Sequence, residues 1–123
     1  MGNRRKLTRE ERREVYNKFD GHCAYCGRQI GIRQMQVDHF VPLRCGGADE
    51  LYNMVPSCRM CNENKGKYTV NQFRHNIENV PWKLCKDFKG YLIAKKYGII
   101  KEIKKPIVFY FEKQEHKYTT RRR

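Results

Sequence analysis

The chain has 123 residues, 39% of them hydrophobic and 33% charged, and its 27 lysines and arginines against 13 acidic residues give a formal net charge of +14. That length fits one domain with a modest core. No apolar run reaches the roughly 20 residues of a membrane span, and the basic start MGNRRKLTREERR lacks the hydrophobic segment of a secretory signal, so a cytoplasmic protein with no membrane role, no small-molecule substrate and a polyanionic partner is expected.

The first predicted element is a helix over about residues 9–19. Thr8-Arg9-Glu10-Glu11 is a capping box, in which Thr8 and Glu11 satisfy each other's backbone N–H groups, and Leu7 stands in the staple position. Val15, Tyr16 and Phe19 fall on one face, and Asp20-Gly21 ends the helix. Cys23-Ala24-Tyr25-Cys26 follows, answered far downstream by Cys58-Arg59-Met60-Cys61. Outside an oxidising compartment, two C-x-x-C pairs point to zinc rather than disulfides. Each pair bites one ion from a tight knuckle, and four thiolates at about 2.3 Å close a tetrahedral structural site. The 31 residues between Cys26 and Cys58 exceed the usual ribbon gap, so they must fold back as a unit. A redox role for Cys23 and Cys26 would need a βαβ setting, which the surrounding pattern does not supply. Cys45 and Cys85 have no partner at ligand spacing and read as free thiols.

Inside the insert, residues 34–41 alternate like a strand, with Met35, Val37, His39 and Val41 sharing one parity. Pro42 stops the ladder, Gly46-Gly47 turns a loop over residues 43–50, and residues 51–57 read as a returning strand. A short helix or turn starts with residues 62–67. Thr69 and Gln72 open a helix through about Asn79, and Pro81 begins another. Residues 106–113 look like a late strand, and residues 117–123 are expected to fray. The net charge is +3 over residues 1–20, +1 over 21–66 and +10 over 67–123. A nearly neutral middle is thus followed by a basic clamp suited to phosphates.

The chemistry concentrates in that middle. Asp38 and His39 are adjacent, and folding about zinc brings them toward Asn62, the residue directly after Cys61. Asp38 and Asn62 offer oxygen, which suits a hard cation such as Mg²⁺ or Mn²⁺. Two protein ligands leave most of an octahedral shell to water and phosphate oxygens, the setting of phosphodiester hydrolysis. An imidazole such as His39 can take a proton from water near neutral pH. Successive strand residues face opposite sides, so Asp38 and His39 serve one site only if the strand ends or twists there. Asn53 is positioned to brace the glycine loop through side-chain-to-backbone hydrogen bonds. Arg44, Lys65 and Lys67 are candidates for holding phosphate. Trp82, Tyr91, Tyr97, Phe109 and Tyr110 read as core more than as base-stacking platforms.

Taken together, Cys23-x-x-Cys26, Val37-Asp38-His39-Phe40-Val41-Pro42, Gly46-Gly47, Asn53 and Cys58-x-x-Cys61-Asn62 followed by Lys65 resemble the HNH endonuclease family, in its zinc-bearing ββα-metal form, over about residues 15–67. The resemblance implies an α+β fold: a small ββα-metal core with a four-cysteine zinc ribbon, flanked by an N-terminal helix and a basic helical C-terminal extension. It further implies a metal-dependent endonuclease that nicks or cuts DNA, of the kind found in phages and mobile elements. His39 would be the general base, Asp38 and Asn62 the ligands of catalytic Mg²⁺ or Mn²⁺, and Asn53 the loop-fixing residue of the catalytic motif. Cys23, Cys26, Cys58 and Cys61 would hold structural zinc. Asn62 stands where the name-giving last histidine would, which favours Mg²⁺ or Mn²⁺. A single nuclease domain over residues 1–123 is expected, with the helix, knuckles and core at 8–67, the basic extension at 68–112 ending in a short strand, and a disordered basic tail at 113–123. The competing reading is a noncatalytic zinc ribbon that binds nucleic acid, which leaves the meeting of Asp38, His39 and Asn62 unexplained.

Overall fold

The computed structural model describes residues 5–114, so the expected fraying of residues 117–123 lies outside the described residues. In chain order the elements are α1 (Arg9–Asn17), β1 (Gln36–His39), 3₁₀ turns at Leu43–Cys45 and Leu51–Asn53, β2 (Met54–Ser57), α2 (Arg59–Lys65), α3 (Val70–Glu78), α4 (Val80–Asp87) and α5 (Lys89–Lys96). Helices and one small two-stranded antiparallel sheet make the α+β class. The chain divides into two compact units, one comprising Met1–Val70 and Val108–Arg123, the other Asn71–Ile107. No helix among the described residues is long and apolar enough to cross a membrane.

In the first unit, α1 starts on its capping box: Thr8 Oγ1 accepts from the Glu11 N–H at 3.1 Å, and Glu11 Oε1 accepts from the Thr8 N–H at 2.9 Å. The helix ends at Asn17 rather than Phe19, because Asp20 (φ 51°) and Gly21 (φ 82°) turn the chain through left-handed conformations. Val15, fully buried, forms the core with Met35 and Met54, surrounded by Leu7, Tyr16, Ile30, Val37 and Leu51. Lys18 fastens α1 to β2 by donating from Nζ to the carbonyls of Leu51 and Met54 at 2.5 and 2.6 Å.

β1 and β2 pair antiparallel, with Gln36 opposite Ser57 and His39 opposite Met54. Both strands are shorter than the sequence predicts. Gln34 and Met35 donate their N–H groups to the Gly31 carbonyl in a turn, and beyond His39 the Phe40 N–H reaches Asn53. The return strand begins only at Met54, since residues 51–53 coil as a 3₁₀ turn. α2 begins at Arg59, earlier than predicted: Cys58 is its N-cap, with Sγ accepting from the Cys61 N–H. The second knuckle is therefore the first turn of the helix, and Asn62 lies inside it.

The late strand predicted over residues 106–113 does not form. Residues 101–109 are irregular and 110–114 are helical. The N–H groups of Tyr110 and Phe111 donate to the carbonyls of Tyr25 and Ala24, at 2.9 and 2.8 Å. Phe109 and Phe111 pack edge-on against Tyr25, and Phe111 edge-on against Phe40. A continuous apolar run over residues 107–111 thus joins an aromatic cluster over the first knuckle in place of a sheet edge.

In the second unit, Pro81 sits in the first turn of α4, where its missing N–H is harmless. α4 packs on α5. Tyr91 and Lys95 of α5 both bind the Glu102 carboxylate, at 2.8 and 2.7 Å. α5 escaped prediction because neither a side-chain cap nor an acidic first turn announces it.

Candidate active site

The metal frame comes first. The Sγ atoms of Cys23, Cys26, Cys58 and Cys61 all lie within 4.8 Å of one another, and those of Cys26 and Cys58 are 3.8 Å apart. Four sulfurs bound tetrahedrally at zinc's usual distance would sit about 3.8 Å from each other. Thiols crowded this closely compete for protons. Hydrogen bonding from Cys61 pushes the Cys23 thiol well below its ordinary pKa, Cys23 in turn pushes Cys61 up, and burial raises Cys26. A soft-ligand dication that takes four thiolates relieves this competition, so spacing and donor chemistry both fit structural zinc. Cys45 and Cys85 stand outside the cluster.

Between the first two cysteines, Tyr25 is buried and sends its hydroxyl to Asp38 Oδ2 at 2.5 Å. Burial first, and then the Asp38 carboxylate, push the Tyr25 pKa up, so the phenol keeps its proton and acts as a donor. Lys65 Nζ reaches the same Oδ2 at 3.0 Å and donates to the His39 carbonyl at 3.1 Å. Lys65 is 0% exposed and Asp38 6%. The expectation that Lys65 grips phosphate is therefore corrected: its ammonium is enclosed by the protein and pairs with Asp38. Asp38 Oδ1 has no hydrogen-bond partner among the described residues and is not sealed from solvent. Asn62 precedes Lys65 by one helical turn, on the same face of α2. That face packs on β1, and the Asn62 amide has no hydrogen bond among the described residues.

His39 is 7% exposed, and its ring has a separate partner. Its Nε2 lies 2.8 Å from Asp49 Oδ1, and its Nδ1 has no partner among the described residues. The ladder stops at His39 itself. The loop beyond is tied by Asn53, whose Oδ1 accepts from the Val41 N–H at 2.9 Å and whose Nδ2 donates to the carbonyls of Val41 and Ala48 at 2.9 and 2.8 Å. All these bonds go to backbone, so Asn53 holds the loop rather than facing a substrate. Gly47 is required beside it: a Cβ there would lie 1.8 Å from the Val41 carbonyl oxygen. Arg44 and Lys67 are exposed. Arg44 Nε donates to the Lys67 carbonyl at 3.0 Å, and its guanidinium lies over the Tyr68 ring. Tyr25 and Asp49 are the site neighbours that sequence reasoning missed.

The site is thus a short hairpin and a helix that carry a four-cysteine cluster, with an aspartate-histidine pair at the strand end. Residues 23–68 match the family model described as HNH endonuclease. Among solved structures, the crystal structure of the Type II-C Cas9 enzyme from Actinomyces naeslundii is similar, at 25% identity and a TM-score of 0.51. The likeness covers 61% of this chain and 9% of that one. No curated protein matches the chain.

Proposed function

We propose that the protein is a metal-dependent endonuclease that hydrolyses DNA phosphodiester bonds, by nicking or by double-strand cleavage. The observation that carries this reading is the His39 imidazole within the stretch that matches the HNH endonuclease model, held through Nε2 with Nδ1 left free, and preceded in the chain by Asp38, whose carboxylate keeps one open oxygen. Asp38 Oδ1 and the Asn62 amide oxygen are the hard donors that would hold Mg²⁺ or Mn²⁺. When bound, that ion supplies positive charge to the phosphate in the transition state and to the departing oxygen. His39 Nδ1 takes a proton from the attacking water, whose oxygen bonds to phosphorus as the bond from phosphorus to the sugar oxygen breaks. Tyr25 and Lys65 orient Asp38, and Asn53 keeps the loop after His39 in shape. Arg44, Lys67 and the +14 net charge favour a polyanionic substrate such as DNA. Supercoiled plasmid incubated with the zinc-loaded protein and Mg²⁺ or Mn²⁺ should be nicked or linearised, and His39→Ala should lose about 10²–10⁴-fold in rate. Equal cleavage by both proteins would remove His39 from the mechanism. Binding without scission under every metal would leave a zinc ribbon that only binds nucleic acid.

A further inference from the structure

We infer that Asp49 is the positioning residue of the His39 imidazole: its carboxylate holds the proton on Nε2 and leaves Nδ1 as the base, while the Arg5 backbone N–H holds the carboxylate. This rests on the proposed nuclease reading for its consequence, but not for its geometry. His39 Nε2 lies 2.8 Å from Asp49 Oδ1, and the Arg5 N–H donates to Asp49 Oδ2 at 2.7 Å. A carboxylate only accepts hydrogen bonds, so the nitrogen facing it must be the one that carries hydrogen. His39 chiefly, and then the Arg5 N–H, keep the Asp49 carboxyl below its ordinary pKa, so the acceptor stays ionised.

Both ends of the arrangement are anchored. Asp49 follows Ala48, whose carbonyl is fixed by Asn53. The Arg5 guanidinium binds Glu50 at 3.0 Å and also Glu11, the capping-box residue of α1. The segment before α1 therefore acts as a strap that sets the orientation of the imidazole through one carboxylate.

The Arg5 N–H decides how an amide at position 49 must sit. In Asp49→Asn the carbonyl oxygen of the new amide must face Arg5, because an N–H needs an acceptor. The amide NH₂ then faces Nε2, which has to accept, and the proton moves to Nδ1, where it blocks the base. In Asp49→Ala the imidazole loses its orienting bond but keeps a free choice of tautomer. The isosteric asparagine should therefore be the slower enzyme, with kcat down about 10²–10⁴-fold and KM for plasmid DNA unchanged, while alanine loses less. A merely structural carboxylate predicts the reverse order, since asparagine preserves shape and most hydrogen bonding.

The experiment pairs plasmid cleavage by the full zinc-loaded chain with ¹⁵N NMR of the imidazole in wild type, Asp49→Asn and Asp49→Ala. Hydrogen on Nε2 in wild type and on Nδ1 in Asp49→Asn, with asparagine slower than alanine, is the expected result. Hydrogen on Nδ1 in wild type, no tautomer change in Asp49→Asn, or alanine slower than asparagine overturns the inference. A wild-type protein that cuts no DNA refutes the nuclease reading instead, and the NMR assignments then still decide whether Asp49 fixes the tautomer.

Discussion

Replacing Lys65 with methionine tests the buried pair that replaces its expected role at the phosphate. The side chain keeps nearly the same length and remains compatible with a fully enclosed position, so the change removes the charge and little packing. At 3.0 Å and an effective dielectric near 20, the attraction to Asp38 is about 5–6 kcal/mol before desolvation is subtracted. Breaking a buried pair by removing one partner costs about 3–5 kcal/mol, because the other charge is left uncompensated. Asp38 keeps its bond from Tyr25 and has one oxygen within reach of water, which places the expected loss near the lower end, about 3 kcal/mol. That corresponds to a melting temperature lower by about 10–15 °C for a chain of this size. Urea unfolding of zinc-loaded protein in Mg²⁺-free buffer measures it, and Asp38→Asn added to Lys65→Met should recover at least about 1 kcal/mol by removing the orphaned charge. A single variant that loses less than about 1 kcal/mol, or a double variant no better than the single, would show that the pair does not bear on stability as the geometry requires.

Stripping zinc with a high-affinity chelator should unfold the first unit, because so small a core draws much of its stability from the ion; an unchanged circular-dichroism melt would refute this. Tyr25→Phe deletes one hydrogen bond to a carboxylate and should cost about 1.5–3 kcal/mol in urea titration, and slow cleavage without loss of zinc as measured by metal analysis. Thr8→Ala should cost about 0.5–2 kcal/mol and leave the cleavage rate per folded molecule unchanged. The Thr8 backbone N–H is the first cause holding the Glu11 carboxyl below its ordinary value of 4.5. Its contribution is thus present above that value and lost as the pH falls through the lower, folded one, so Glu11→Gln should flatten the stability profile below about pH 4.5.

Sequence reasoning worked best where the chemistry was local. The capping box at Thr8 and Glu11 and the paired C-x-x-C knuckles each depend on a few neighbouring residues, and α1 and the sulfur cluster stand where those signals put them. The strands are shorter than the alternation of residues 34–41 implies, because that alternation continues past the point where backbone donors change partner. Gln34 and Met35 turn back to Gly31, and Val41 bonds to an Asn53 side chain. Residues 106–113 carry a strand's β-branched and aromatic composition, but their N–H groups at Tyr110 and Phe111 bond to the first knuckle instead of a strand. Lys65 looked like a surface cation because nothing in a sequence reports that a lysine on α2 meets a carboxylate on β1. Tyr25 and Asp49 were invisible for the same reason: their partners are 13 and 10 residues away, and only the closed fold brings them together.

Those long-range contacts tie the four-cysteine cluster to the end of β1. The first knuckle fixes Tyr25, Tyr25 fixes one oxygen of Asp38, and the second knuckle opens the helix whose Lys65 fixes that same oxygen. Lys65 also holds the His39 carbonyl, so one ammonium constrains two successive residues. The carboxylate is thus positioned from the side of the cysteine cluster and the imidazole from the loop and the Arg5 strap. Two independent anchors acting on adjacent residues leave the strand end little freedom, which suits the proposed nuclease reading, because misplacement of a catalytic group by about 1 Å can cost 10²-fold in rate.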